Sequence, residues 1–161
     1  MRVRANVSPR GAMPMDCYDQ VTRSKTMRMV HSGDTTPELI VRSYLFRNGF
    51  RFRLHYKKLP GCPDIVLPKY RTVVDVRGCF WHRHPGCSQA TSPSSNVDYW
   101  QKKFQRNVDR DRKTEKLLKD LGWNLIIVWE CELKKEGVLE TLPSRIMEYR
   151  QRMQEKTKPS I

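Results

Sequence analysis

The sequence predicts an α/β fold in which a small mixed β-sheet is flanked by helices. Two runs rich in β-branched residues, Cys62 to Leu67 and Thr72 to Arg77, have the pattern of a β-hairpin. Tyr99 to Leu121 has the apolar spacing of a long helix, and Trp123 to Trp129 is an apolar run suited to the middle of a covered sheet. At 161 residues the chain has room for one domain with a core of its own.

The N-terminal third is predicted to hold a leader and two helices. We expect residues 1–18 to be a flexible leader and residues 19–155 to form the domain, beginning with a short basic helix over residues 19–31. In the next helix Thr35 has the position of an N-cap, and Glu38 follows it at capping-box spacing.

That second helix is predicted to end at Asn48-Gly49, and Phe50 to Leu54 then alternates with arginine as a strand does. At the other end of the chain, a basic packing helix is predicted over residues 134–155, with a kink at Pro143. We expect residues 156–161 to be a frayed tail.

The long helix carries one carboxylate on its apolar side. Asp98 is the predicted cap, and Asp111 projects between Trp100 and Phe104, whereas Asp109 points outward. A carboxylate on the inward face must be paired or functional, because burying a lone charge is costly. The stripe on which Asp111 lies consists of Trp100, Phe104, Val108, Leu118 and Leu121.

Charge and cysteine usage limit the partners and the compartment. The 31 Lys+Arg against 17 Asp+Glu give a net charge of +14, which favours a polyanionic partner, most simply nucleic acid. Neither a signal-like leader nor an apolar run of membrane-spanning length occurs, and five cysteines is an odd count. We therefore expect a cytoplasmic protein in which clustered Cys and His bind metal and no membrane is a partner.

Two groups of residues carry chemistry. Asp64 opens the first hairpin strand, and Asp75 and Arg77 share one face of the second, so two carboxylates and a cation are available to hold Mg²⁺ and a phosphate. A surface ion pair between turn residues is the alternative. The second group has three thiols and one imidazole, which is a closed ligand set for structural zinc: Cys79, His84, Cys87 and Cys131.

These residues resemble known nuclease signatures. Asp64 followed by Asp75-Val76-Arg77 is similar to the pattern of restriction-endonuclease-like nucleases, with Arg where Lys is usual. Gly78 to Cys87, together with Trp129-Glu130-Cys131, resembles the very-short-patch-repair (Vsr) mismatch endonucleases, and the similarity runs from about Thr22 to Leu133. The resemblance implies a restriction-endonuclease-like fold and Mg²⁺-dependent nicking of one DNA strand at a T:G mismatch.

The resemblance also implies catalytic roles. His82 is a candidate general base, and the resemblance pairs it with Asp111 as the group that orients the imidazole. Magnesium would be held by the Asp64 carboxylate and the Val76 carbonyl, and Glu38 would lie near the active site. Asp75 and Arg77 depart from the best-known Vsr pattern, so Asp75 is a candidate second ligand and Arg77 a candidate holder of the scissile phosphate.

The expected DNA contacts combine aromatic wedges with a basic arm. Aromatic side chains beside a basic groove stack on bases or wedge between them. In the family resemblance these are Phe80, Trp81 and Trp100, with core packing as an equal alternative for Trp100. In the same resemblance, residues 19–31 form an arm along the DNA. Its DNA-binding residues are Arg23, Lys25, Arg28 and Met27, of which Met27 wedges near the mismatch.

Two other functions compete with mismatch nicking. One is a restriction-type endonuclease that cuts matched DNA, and the other is a non-catalytic zinc-bearing DNA-binding module. For the nickase we expect a monomer, since cutting one strand needs one active site, with mismatch-repair factors and a DNA polymerase acting downstream.

Overall fold

The computed structural model describes residues 33–157. The predicted leader and the basic helix of residues 19–31, with Arg23, Lys25, Met27 and Arg28, lie outside the described residues. In chain order the described part contains α1 (Thr36–Arg47), β1 (Arg53–Leu54), β2 (Ile65–Leu67), β3 (Thr72–Arg77), α2 (Val97–Asp120), β4 (Asn124–Trp129) and α3 (Thr141–Thr157). Single 3₁₀ turns occur at Pro68–Tyr70 and Glu132–Lys134.

The four strands form one mixed sheet in the order β1-β2-β3-β4, which confirms the predicted α/β class. β2 and β3 form the predicted antiparallel hairpin, with Ile65 opposite Val74. β3 and β4 are parallel, and α2 makes the crossover that a parallel pair requires. β4 is therefore an edge strand of the described sheet, which corrects the prediction that it lies in the middle.

Apolar side chains cover both faces of the sheet. On one face Val74, Ile126 and Val128 pack against buried residues of α1 and α3. On the other face Val66 and Val73 pack with Leu118 of α2. The two covered faces explain why β2 is apolar at every position and why β4 is apolar although it lies at an edge.

The start of α1 differs in detail from the predicted capping box. Thr35 is the N-cap by position, but its hydroxyl donates to Glu38 Oε1 at 2.8 Å and makes no bond to a helix amide. Glu38 Oε2 accepts the backbone N–H of Asp34 at 3.1 Å. The helix ends as predicted, because Gly49 has φ +81°, a backbone conformation that glycine adopts without strain.

Three other predicted boundaries are corrected. The strand expected over Phe50 to Leu54 is only Arg53–Leu54, since Phe50 is buried in the core instead. α2 begins at Val97 with Asn96 as N-cap, so Asp98 lies in its first turn, where a negative charge still favours the helix. At the end of the stripe, Leu121 is 50% exposed because it follows the last helical residue.

The last helix is not kinked. α3 begins at Thr141, which places Pro143 in the first turn. Backbone N–H groups of a first turn make no hydrogen bond within the helix, so proline is tolerated there. Leu142 and Ile146 are fully buried, which confirms a packing helix. None of the helices within residues 33–157 has the length and apolarity to cross a membrane.

The packing of α3 can be tested with two neighbouring residues. Ile146 is 0% exposed and Met147 is 50% exposed. We expect Ile146→Ala to lower the free energy of unfolding by about 2–5 kcal/mol, because it leaves a cavity, and Met147→Ala to change it by less than about 0.5 kcal/mol. Equal losses in denaturant titrations of the two variants would contradict this packing.

Candidate active site and metal centre

The hairpin places two aspartates opposite each other. Extending the β2–β3 register by one residue from the Ile65–Val74 pair brings Asp64 opposite Asp75, and directly opposed side chains lie on the same face of a sheet. Asp64 Oδ2 also accepts the backbone N–H of Val76 at 2.9 Å, which fixes its carboxylate at the end of the hairpin. A divalent cation between the two carboxylates would find hard oxygen ligands from both strands.

The environment of Asp64 disfavours its negative charge. Burial raises the pKa of Asp64 to about 7, and the nearby charges of Asp75 and Glu38 act in the same direction, while the hydrogen bond from Val76 opposes them. A bound cation would stabilise the ionised form of Asp64, because its positive charge offsets the effects of burial and of the neighbouring acidic groups.

Arg77 is held between two carboxylates. Its Nε donates to Asp75 Oδ2 at 2.8 Å and its Nη1 donates to Glu115 Oε1 at 2.7 Å, while the side chain is only 6% exposed. Burial disfavours the guanidinium charge, but Asp75, Glu115 and Asp111 outweigh it and raise the pKa of Arg77 above its ordinary value. Sequence reasoning missed Glu115, although it follows the inward-facing Asp111 by four residues on the same helix.

His82 and Asp111 form a close pair, as the resemblance implied. His82 Nδ1 and Asp111 Oδ2 are 2.5 Å apart, and Asp111 is buried on the inner face of α2. Burial raises the pKa of Asp111, but the hydrogen bond and charge of His82 and the charges of Arg77 and Arg110 prevail and hold it below the ordinary value. Asp111 is therefore an anion against the imidazole. Asp109 is exposed and is bonded to Gln105, as expected of a solvated residue.

Glu38 lies in a second polar cluster beside Asp64. Arg42 is buried, and its guanidinium pairs with Asp34 and with Glu38 Oε2, the latter at 2.7 Å. Arg42 Nη2 also lies 3.1 Å from His55 Nε2, and the backbone N–H of His55 donates to the Asp64 carbonyl at 3.3 Å. Sequence reasoning missed this cluster. Its only signal in the sequence is the position of Arg42, four residues after Glu38 on the same helix.

The predicted Cys/His ligand set is assembled around one point. The ligand atoms of Cys79, His84, Cys87 and Cys131 all lie within 4.8 Å of one another. His84 Nδ1 is 3.6 Å from the Cys79 sulfur and 3.2 Å from the Cys131 sulfur, so Nδ1 is the nitrogen that faces the thiols. Three sulfurs and one imidazole nitrogen fit a tetrahedral, closed metal centre.

Local turns bring the first three ligands together. The amide of Cys87 donates to the His84 carbonyl at 3.3 Å across the Pro85-Gly86 turn, and Gly86 has φ +70°, as the third residue of such a turn requires. His84 also stacks on Trp129, with ring centroids 4.1 Å apart and planes 6° apart. The imidazole plane is thus fixed by an aromatic side chain of β4.

The thiols differ in their ease of ionisation. Burial raises the pKa of the Cys79 thiol to about 12, whereas a backbone hydrogen bond from Gln89 lowers the pKa of Cys87. A cation in the cluster would hold Cys79 as thiolate, because metal ligation requires the deprotonated sulfur and releases its proton.

The predicted aromatic wedge residues form one cluster with α2. Phe80 lies edge-on to Trp81 and to Trp100, with centroids 5.0 Å and 5.6 Å away. Lys103 Nζ lies within 5.8 Å of the ring centroids of Trp81, Trp100 and Tyr99. Trp100 is only 7% exposed, so core packing accounts for much of its position, while the neighbouring Tyr99, which sequence reasoning missed, is 53% exposed.

Comparisons with known proteins show the family to which the chain belongs. A family model described as DNA mismatch endonuclease Vsr matches residues 15–89. A type II nicking enzyme of Neisseria meningitidis serogroup A is 43% identical over 132 residues, 82% of this chain and 94% of that protein. DNA mismatch endonuclease Vsr of Escherichia coli is 40% identical over 136 residues, 83% of this chain and 86% of that protein. The chain belongs to the Vsr family.

A further relative, a type II nicking enzyme of Xanthomonas oryzae pv. oryzae, is 47% identical over 126 residues, covering 78% of this chain and 92% of its own. As a Vsr-family protein the chain is a DNA endonuclease. The residues that the family model matches include both hairpin aspartates and His82. The matched segment also carries the first three members of the Cys/His cluster: Cys79, His84 and Cys87.

The metal centre of this Vsr-family chain can be tested by metal analysis. We expect the purified protein to contain one ion per chain in the Cys/His cluster. Cys131→Ser should lose that ion and unfold at a lower temperature, because metal binding contributes to folding. Cys62→Ser is the matched control, since Cys62 is exposed and outside the cluster. Equal metal content in the two variants would contradict the assignment.

The raised pKa of Asp64 predicts a pH-dependent cost in stability. Between its ordinary pKa of 3.8 and the folded value of about 7, the unfolded chain loses the proton while the folded chain keeps it, so stability falls as pH rises through this window. Without magnesium, we expect Asp64→Asn to stabilise the protein at pH 8 by about 1–3 kcal/mol and by less at pH 5.

Denaturant titrations at the two pH values measure this difference. Asp109→Asn is the control, because Asp109 is an exposed carboxylate whose removal should act similarly at both pH values. A gain from Asp64→Asn that is the same at pH 5 and pH 8 would refute the assigned pKa direction.

Proposed function

We propose that this Vsr-family endonuclease nicks one strand of duplex DNA at a T:G mismatch, the product of 5-methylcytosine deamination, and so starts very-short-patch repair. The observation that carries the proposal is the His82–Asp111 pair, which supplies an oriented base within the network that includes the Asp64 and Asp75 carboxylates. Arg77 connects the two parts, because it bonds to Asp75 and its charge acts on Asp111.

The proposed chemistry is in-line hydrolysis of a phosphodiester. With Nδ1 directed at Asp111, Nε2 of His82 is the nitrogen that takes the proton from the attacking water, and the Asp111 anion stabilises the imidazolium that forms. Asp64, the Val76 carbonyl and Asp75 would hold magnesium, which supplies charge stabilisation on the scissile phosphate when bound. Glu38 adds negative charge near Asp64 and would complete the site.

Zinc is the ion that we assign to the Cys/His cluster. Three sulfurs and one imidazole nitrogen match the ligands that zinc selects, and all four positions are supplied by the protein, as in structural sites. Its role would be to fold the loop that carries Phe80, Trp81 and His82. The domain would then have a restriction-endonuclease-like fold in which a structural zinc loop delivers the base.

Duplex DNA is the proposed partner, bound by charge and by aromatic wedges. A net charge of +14 supports phosphate contacts, to which Arg23, Lys25 and Arg28 would contribute. Phe80, Trp81 and Trp100 would wedge near the mismatch with Met27. We expect a cytoplasmic monomer that acts on chromosomal DNA, with mismatch-repair factors and a DNA polymerase acting downstream.

A second candidate is a restriction-type endonuclease that cuts matched DNA. It is favoured by one observation, the placement of Asp75 opposite Asp64, since paired carboxylates with a basic neighbour are the pattern of that class. The two candidates share the hydrolytic chemistry and differ in substrate, so cleavage of mismatched and matched duplexes separates them.

The test is a strand-resolved nicking assay with magnesium on end-labelled duplexes that carry T:G within methyltransferase-type sequences. We expect one nick beside the thymine, no cleavage of the matched duplex and no cleavage by Asp64→Ala. His82→Ala should nick about 100- to 10,000-fold more slowly, the range for loss of a general base.

The control variant is Asp109→Asn, which removes a carboxylate from the outer side of α2 and should nick at the normal rate. Cleavage of both strands of matched DNA would assign the chain to the restriction class. Binding without cleavage of any duplex would instead favour a zinc-bearing DNA-binding module.

A further inference from the structure

Arg77 forms a bridge between two carboxylates. Nε is bonded to Asp75 and Nη1 to Glu115, at 2.8 Å and 2.7 Å, and the side chain is nearly buried. Two N–H groups of the guanidinium are therefore already bonded to carboxylates of the protein. The Asp75–Arg77–Glu115 bridge thus links the Asp75 carboxylate to a carboxylate of α2.

The bridge balances charge next to the paired aspartates. A buried guanidinium bonded to Asp75 alone would draw that carboxylate toward itself and would repel a divalent cation. Glu115 supplies the compensating negative charge from the other side of Arg77. Glu115 also holds the guanidinium by a second, independent bond, which fixes the edge that Arg77 presents to Asp75.

We propose that Glu115 is a positioning residue of the metal site: through Arg77 it fixes the Asp75 carboxylate and offsets the guanidinium charge, so that Asp64 and Asp75 bind a divalent cation. This rests on the proposed function, in which those two aspartates are the ligands. Glu115 is 37% exposed at its side chain, so it is accessible to substitution without opening the core.

The test measures Mn²⁺ binding to the full-length, zinc-loaded protein, with free Mn²⁺ followed by electron paramagnetic resonance. We expect Glu115→Gln to raise the Kd for Mn²⁺ about 10-fold, the lower end of the effect of removing an outer partner of a metal ligand. Asp109→Asn removes one negative charge from the same helix, as Glu115→Gln does, and should leave the Kd within about 2-fold, because its carboxylate is exposed and on the outer side.

A double-variant cycle separates positioning from simple charge. In an Arg77→Gln background, Glu115→Gln should change the Kd by less than about 2-fold, because the bridge through which it acts is absent. The same effect in both backgrounds, or no effect of Glu115→Gln in the native background, would overturn the proposal. Circular dichroism checks that each variant is folded. If the single Glu115→Gln variant is unstable, the Kd of Arg77→Gln is still compared with that of the double variant.

Failure of this inference differs from failure of the proposed function. If the native protein binds Mn²⁺ but nicks no T:G duplex, the substrate assignment is wrong. The Kd values of the variants then still decide whether Glu115 positions Asp75. If the native protein nicks T:G DNA and Glu115→Gln binds Mn²⁺ normally, only the positioning role is wrong. Absence of Mn²⁺ binding to the native protein would overturn the role of Glu115 directly.

Discussion

The parallel pairing of β3 with β4 is the constraint on which both sites depend. Parallel strands end at the same edge, so the residues that follow Arg77 meet those that follow Trp129, and Cys79 reaches Cys131. The same pairing requires a crossover, and α2 provides it by lying over one face of the sheet. That path brings Asp111 to His82 and Glu115 to Arg77. This one strand pairing thus brings together the Cys/His cluster, the His82–Asp111 pair and the Arg77–Glu115 pair.

The carboxylate site is arranged at a cost in stability. Asp64 is partly buried beside two other acidic groups, which raises its pKa to about 7, and the guanidinium of Arg77 is bonded to Asp75 and Glu115. Arg42 gives similar compensation to Glu38 on the other side of Asp64. Asp64 accepts only a backbone N–H among these bonds, so its negative charge is the least compensated of the group. A cation bound at Asp64 would offset this negative charge.

The parts of the structure that were predictable from sequence are those set by local patterns. Period-2 and 3.6-residue spacing identified the hairpin and the inward Asp111, and the Cys/His spacing identified a ligand set that the fold assembles. The edge position of β4 was not predictable from sequence. An apolar run indicates that both faces of a strand are covered, but it does not indicate how many strands pair with it. Glu115 was missed because its partner Arg77 lies on β3, and the contact of Arg42 with His55 likewise depends on the tertiary fold. The Arg42–Glu38 pair lies within α1 and was signalled by its spacing.

Trp129 shows why the two sites are not independent. Its ring stacks on His84 at 4.1 Å, and the Arg77 guanidinium lies 6.0 Å from the same ring, since parallel register places Trp129 beside Arg77. A rigid aromatic ring on a strand allows little independent motion of the groups packed against it. The Cys/His cluster is therefore in contact with the surroundings of the other site, because His84 packs on Trp129, which also borders the Asp75–Arg77–Glu115 bridge. One side chain thus contacts both the Cys/His cluster and the guanidinium that is bonded to Asp75.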